Sequence, residues 1–197
     1  MTTYQRENKK RLLMGAAAQV FSDKGYHEAN VSDIVKRAGV AQGTFYLYFP
    51  SKKAIFKEVV DRVVSELFAG FNEQDIPSLQ TAEDYTQHVR GIYVNIFRIY
   101  RENAKLLTMF LREGVRVEEI RPILLEFYRK ITGWMERYVE LGVQNGLIRP
   151  IDPEILAQSL IGMVEQVAFY WFAIKGEQDV EHVVDTLTAF EMRGLLG

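Results

Sequence analysis

The chain has no cysteine among its 197 residues, which removes disulfides, thiolate metal sites and cysteine nucleophiles together and suits a reducing cytosol. Histidine is scarce. His27 falls in a connector, and His88 and His182 fall on separate helical stretches, with no pair at i and i+4 and no HExxH. There is no P-loop, no nucleophile elbow and no G-x-G-x-x-G. The adjacent Glu118 and Glu119 read as first-turn helix charge. No catalytic residue, metal site or cofactor is therefore expected. Proline is also rare, at five, and there is no low-complexity tract and no repeat period. Long apolar runs are missing too: Val167–Ile174, the longest uncharged one near the C-terminus, is far too short to cross a bilayer. The N-terminus is polar and charged and does not read as a signal peptide. The expectation is a cytoplasmic protein without a membrane partner.

What the chain does have is 48% hydrophobic residues, enough to core one large domain or two small ones. A net charge of −2 argues against nucleic acid at first sight, but the charge is unevenly spread. Residues 1–60 carry ten Lys/Arg against five Asp/Glu, a balance of +5, which leaves −7 for the rest. A basic head on an acidic body is the distribution of a DNA-docking module joined to a domain with another job.

Apolar spacing predicts helices throughout and no strand. The first helix spans 7–24, with Leu13, Ala16, Ala17, Val20 and Phe21 on one stripe, and Gly25 closes it. Ser51 caps a long fourth helix, roughly 52–72, with Phe56, Val59, Val60, Val63, Val64, Leu67 and Phe71 inward. Thr81, with Asp84 three residues on, opens a fifth helix to about Arg101. Asn103 reads as the cap of a short sixth helix ending near Gly114. The seventh runs from about Arg121-Pro122 to Asn145, the eighth from the Asp152-Pro153 cap to about Lys175, and the ninth from Val180, behind Asp179, to Arg193. The eighth is apolar around most of its circumference and must be buried on two sides.

Between the first and fourth helices lies Asn30–Lys53, NVSDIVKRAGVAQGTFYLYFPSKK. Asn30 with Asp33 makes a capping box, and Gly39 supplies a left-handed corner that other residues adopt at a cost. Gln42-Gly43-Thr44 opens a second short helix, and Pro50 stops it. Ile34, Ala38, Val40, Phe45 and Tyr48 are spaced to make a small core between the two. The pattern fits a helix-turn-helix with Gln42, Thr44, Tyr46 and Leu47 outward, and it also fits an ordinary αα-corner with aromatic packing.

Over about residues 8–57 the chain resembles the TetR family of bacterial transcriptional regulators. The resemblance is carried by VFSDKGY at the end of the first helix and by IVKRAGVAQGTFYLYFPSKKAIF, above all the aromatic run Phe45–Phe49 followed by Pro50-Ser51-Lys52. The C-terminal two thirds match only in architecture, with Gly142-x-x-x-Gly146 ending the seventh helix and two helices after Asp152-Pro153. Val35 departs from the alanine common at a close helix crossing. The resemblance implies an all-α, nine-helix fold. A three-helix DNA-binding domain over 1–51 would precede a helical ligand-binding and dimerisation domain over 52–197. It implies a homodimeric repressor whose recognition helices stand ~34–36 Å apart or somewhat more on double-stranded, palindromic operator DNA. A small-molecule effector would release it.

Carried over position by position, Gln42, Thr44 and Tyr46 are the base-contact candidates, since Gln bonds an adenine edge and Thr offers a hydroxyl or a methyl. Tyr48 and Lys52 match phosphate-holding positions, with Gly43, Ser32 and Lys36 also within reach of the backbone and Leu47 available to a thymine methyl. Tyr48 serves equally as a core ring. Effector-pocket candidates are Tyr93, Phe97, Phe110, Phe127, Trp134 and Phe169, with Glu165 among apolar neighbours and in need of a partner. Core packing and a dimer-interface hydrogen bond are the competing roles. Ser159, Gly162, Gln166 and Ala173 on the eighth helix and Val183, Leu187 and Phe190 on the ninth are the dimer candidates, forming a four-helix bundle with a second copy. Fatty acyl effectors and aromatic or cationic ones remain alternatives, as does control by a protein partner with no small ligand.

Overall fold

The computed structural model describes residues 3–69, 78–79, 81–177 and 179–195. Among them are nine α-helices and no strand, as the periodicity predicts. They are α1 (Thr3–Glu28), α2 (Val31–Ala38), α3 (Gln42–Tyr46), α4 (Lys52–Phe68), α5 (Ala82–Glu102), α6 (Ala104–Thr108), α7 (Arg121–Gln144), α8 (Pro153–Ala168) and α9 (Val180–Leu195). A π-helical turn over Met109–Glu113 and a 3-10 turn over Gly114–Arg116 follow α6, and a second π segment, Phe169–Ile174, extends α8. Phe71 and the expected end of α4 near Asn72 lie outside the described residues.

Local capping chemistry explains most of the boundaries. The Asn30–Asp33 and Thr81–Asp84 boxes are both formed, each side chain bonding the other's backbone N–H. Asp152 accepts from the Ile155 N–H at 3.0 Å, and Asp179 from the His182 N–H at 3.0 Å. Some ends differ from the sequence reading. The α1 segment begins at Thr3, and Gly25 breaks it before a last turn that carries Tyr26. Asn103 serves the end of α5 and not the start of α6: its Nδ2 donates to the Ile99 carbonyl at 2.9 Å.

The chain forms two compact units. One comprises 1–64 with 105–124, and the other 65–104 with 125–197, so that the division falls inside α4 and α7. The first unit is centred on an aromatic knot. Phe56 of α4 meets Phe21 and Tyr26 of α1 edge-on, both at 5.0 Å between ring centres, and lies 6.3 Å from Phe110. In the second unit, α5 and α9 make the most extensive helix pair, with Val183, Val184 and Leu187 buried on the α9 side. Arg90 ties the same two helices at their surface, its guanidinium 3.0 Å from Asp185 and 2.5 Å from Glu181.

Pro153–Ile174, with a mean hydropathy of 1.2 over its apolar window, is long and apolar enough by length and composition to cross a membrane. The short uncharged run in the sequence misses this because Glu165 interrupts the longer stretch. One third of that window is buried inside the chain, and core helices of soluble proteins share the same composition.

Gly142 is a point of close approach. A Cβ added there would lie 2.5 Å from Cδ1 and 2.8 Å from Cγ1 of Ile148, which folds back beneath α7. Gly142→Ala is expected to lower the unfolding free energy by ~1–3 kcal/mol in urea titration. Adding Ile148→Val, which deletes the nearer carbon, should return part of that loss and give a favourable coupling energy.

Candidate nucleic-acid interface and ligand-domain core

The helix-turn-helix is built from short-range rules. Asn30 Oδ1 accepts from the Asp33 N–H at 3.0 Å, and Gly39 takes φ 66°, letting Val40 N–H reach the Val35 carbonyl at 3.1 Å. Ile34, Val35, Phe45 and Phe49 are buried, while Ala38, Val40 and Tyr48 are half-buried. Phe49, which the expected core omits, stands 5.8 Å from Phe45. The α3 helix stops at Tyr46, four residues before Pro50, and Tyr48 and Phe49 donate back to the Phe45 carbonyl at 2.9 and 3.0 Å.

The candidate base-reading side chains reach the surface. Gln42 and Gly43 are exposed, Thr44 is half-buried, and Tyr46 and Leu47 leave 53% and 71% of their surface open. Tyr46, at the end of the five-residue helix, rests one edge on Phe45 at 5.2 Å, and Leu47, the residue after it, stands open to water. Lys36 and Ser32 are exposed on α2, with the Ser32 hydroxyl engaged with Asn30. Tyr48 is different: its hydroxyl is enclosed and meets no hydrogen-bond partner among the described residues, so a phosphate contact would require the side chain to turn outward.

Charge on this unit is partly spent internally. Lys24 pairs with Asp33 at 2.8 Å, Arg37 with Asp23 at 2.7 Å, Lys57 with Asp61 at 2.7 Å, and Lys10 with Glu58. The hydrogen bond from Lys24 holds the Asp33 carboxyl below its ordinary range. Lys52, expected on phosphate, instead donates to the carbonyls of Tyr26 at 2.8 Å, His27 at 3.3 Å and Ala29 at 2.8 Å. Its ammonium has three N–H groups, and all three have protein acceptors.

In the second unit the ligand-site candidates separate. Tyr93 and Phe97 are buried on α5, and Phe127, Trp134 and Phe169 are half-buried. Phe127 and Trp134 flank Phe68 at 6.5 and 6.2 Å, and Trp134 stacks on Tyr138 at 5.3 Å. Glu165 has the partner its surroundings demand, the Tyr128 hydroxyl at 2.8 Å. Phe110 does not join them. It is fully buried in the first unit beside Phe56, because the π turn that carries it packs on α1.

Sequence reasoning missed Glu191, which is 6% exposed and accepts a hydrogen bond from Tyr93. The same test that singles out Glu165, a carboxylate among apolar i±3 and i±4 neighbours, finds it between Leu187 and Leu195. Burial raises its carboxyl to about 7, only partly offset by the Tyr93 hydrogen bond. Burial and the Glu191 charge also push Tyr93 well above the ordinary phenol value.

Of the dimer candidates, Ser159, Gly162 and Gln166 are exposed, Ala173 is half-buried and Phe190 is 69% exposed. Val183 and Leu187 are covered by this chain's own core, which leaves them little surface to offer a second copy. Ile155, Tyr170 and Ile174, not singled out in the sequence, are exposed on the same stripe of α8 and its extension, at the spacing that already joins Ser159, Gly162 and Gln166.

Residues 13–59 match the family of bacterial regulatory proteins named tetR, and residues 82–195 match the tetracyclin repressor-like C-terminal domain. The chain belongs to the TetR family. It is 27% identical over 179 residues to the fatty acid metabolism regulator protein of Bacillus subtilis, covering 85% of each chain. A proposed fatty acid metabolism regulator from Clostridium perfringens superposes with a TM-score of 0.74 at 26% identity, over 93% of this chain and 97% of that one. FadR from Bacillus subtilis, solved in complex with stearoyl-CoA, superposes with a TM-score of 0.75 at 23% identity, over 91% of this chain and 95% of that one. This TetR-family chain is a DNA-binding transcriptional regulator, and its relatives are regulators, not enzymes.

The Glu191 carboxyl binds a proton more tightly in the folded chain than in the unfolded one. Its contribution therefore favours folding below the ordinary carboxylate range and is withdrawn as pH rises through about 7. Glu191→Gln is expected to flatten this part of the pH profile, gaining on the order of 3 kcal/mol relative to the parent between pH 4.5 and pH 8 in urea unfolding.

Proposed function

We propose that this TetR-family regulator is a homodimeric repressor that leaves a palindromic operator when a fatty acyl effector enters its C-terminal domain. Residues 1–51 carry DNA binding, and 52–197 carry ligand binding and dimerisation. The observation that carries the DNA reading is the open surface of α3 and the residue after it, with Gln42, Gly43, Tyr46 and Leu47 presented outward beside the half-buried Thr44. Gln42, Thr44 and Tyr46 read base edges and Leu47 meets a thymine methyl, while Lys36, Ser32 and the Gly43 backbone hold phosphates. On this reading the protein works in the cytoplasm.

The acyl class is supported by the likeness to the Bacillus subtilis fatty acid metabolism regulator and by the apolar character of the second unit. Half-buried Phe127, Trp134 and Phe169 offer the walls, and the Tyr128–Glu165 pair offers a polar contact. Dimerisation is supported by the exposed stripe Ile155, Ser159, Gly162, Gln166, Tyr170 and Ile174 together with Phe190 of α9. Small residues in that stripe let a second helix come close. The effector acts by favouring one of two conformations of the protein over the other, and it weakens DNA binding only as far as it discriminates between them.

Gln42→Ala and Thr44→Ala are expected to change the sequences recovered from a randomised duplex pool, each losing ~1–3 kcal/mol of discrimination at its own base pair. An unchanged preference would remove the recognition role. A saturating long-chain acyl-CoA should weaken affinity for the recovered duplex, and the duplex should weaken acyl-CoA binding by the same factor. DNA binding indifferent to acyl-CoA would discard the effector class and leave the DNA reading standing. Light scattering at micromolar concentration should give twice the chain mass, and a monomer would rule out the dimer.

A further inference from the structure

The lysine that opens α4 has a different task from the one its place in the motif suggests. Lys52 is half-buried, and its ammonium stands 4.5 Å from the centre of the Tyr26 ring. It donates to Tyr26 O and Ala29 O at 2.8 Å and to His27 O at 3.3 Å. Tyr26 and His27 lie in the short turn that follows the break in α1 at Gly25, and their carbonyls face the ammonium. Ala29 immediately precedes Asn30, the cap of α2. A single cation thus gathers the end of α1, the connector and the start of the helix-turn-helix onto the first turn of α4. To reach a phosphate, the ammonium would have to abandon three charge-assisted hydrogen bonds and an aromatic face.

We propose that Lys52 is a positioning residue: it pins the helix-turn-helix to the first turn of α4 and sets the placement of α3 for DNA without itself contacting the DNA backbone. Selective binding depends on that placement. Loose electrostatic binding to arbitrary duplex depends mainly on summed charge.

The test uses the full-length protein, a duplex recovered by it from a randomised pool, and a scrambled duplex of the same composition, each titrated across potassium chloride concentrations. Lys52→Met keeps the stem and removes every donor. It is expected to weaken binding to the recovered duplex at least ~10-fold, to leave the scrambled duplex nearly unaffected, and to keep the parent slope of log affinity against log salt. Lys52→Arg, whose guanidinium can donate to the same carbonyls, should restore most of the selective binding. A salt slope shallower by about 0.9 on both duplexes would mark a phosphate contact and overturn the proposal. Parent-like selective binding by Lys52→Met would also overturn it. Should Lys52→Met fail to fold by circular dichroism, Lys52→Gln decides: it has no charge but two N–H donors. Partly retained selectivity with the parent slope supports the pin, and a slope shallower by about 0.9 refutes it.

Discussion

The first unit depends on the burial of four rings that the chain delivers from three separate segments. Phe21 and Tyr26 come from α1, Phe56 from α4, and Phe110 from the π turn after α6. Rings of this size dominate the apolar area available to a small helical module, and edge-on contacts orient them. With α1 and α4 held this way, α2 and α3 need only a modest core of Ile34, Val35, Phe45 and Phe49. That economy leaves the side chains of α3 free for the surface. The α3 helix can be short because its support lies beneath it, not along it.

Much of this was readable in the sequence wherever the signal is local. The caps at Asn30, Thr81, Asp152 and Asp179 are chemistry between residues three apart, and all four are formed. Helix periodicity likewise identifies the apolar faces. Periodicity does not say which neighbour covers a face. Phe110 looks like any aromatic of the second half until the π turn is seen against α1. Val183 and Leu187 look like interface residues until they are found buried within the chain's own core. Lys52 looks like a cation at the DNA side, and its acceptors lie 23 to 26 positions earlier in the chain. Charge counting has the same blindness, since +5 on the head includes lysines and arginines already paired within it. The TetR resemblance supplied the architecture and the candidate DNA residues, and no local rule in the sequence could have supplied the placement of the ligand-domain side chains.

In the second unit two carboxylates occupy apolar surroundings, and each meets a tyrosine. Glu165 finds Tyr128 at a half-buried site, whereas Glu191 finds Tyr93 in the fully enclosed seam between α5 and α9. The two solutions differ in consequence. At Glu165 the carboxylate stays close to water. At Glu191, burial outweighs the phenol and raises the proton affinity of the acid. The Arg90 pairs with Asp185 and Glu181 secure the same seam from outside, so α5 and α9 are joined by a polar contact at the rim and another at the centre. A seam fastened at two depths has one register.

The membership of residues 105–124 bears on how such regulators can be recombined. By order along the chain these residues belong with the C-terminal half, yet they pack as part of the unit that holds the helix-turn-helix. A chimera that grafts only the first sixty or so residues onto a foreign body would import the helix-turn-helix together with Phe56 and leave behind Phe110, the ring that abuts it. The foreign body would then have to present a ring of matching shape at that point. Module exchange in this architecture is thus constrained by a plug borrowed from the other half of the chain.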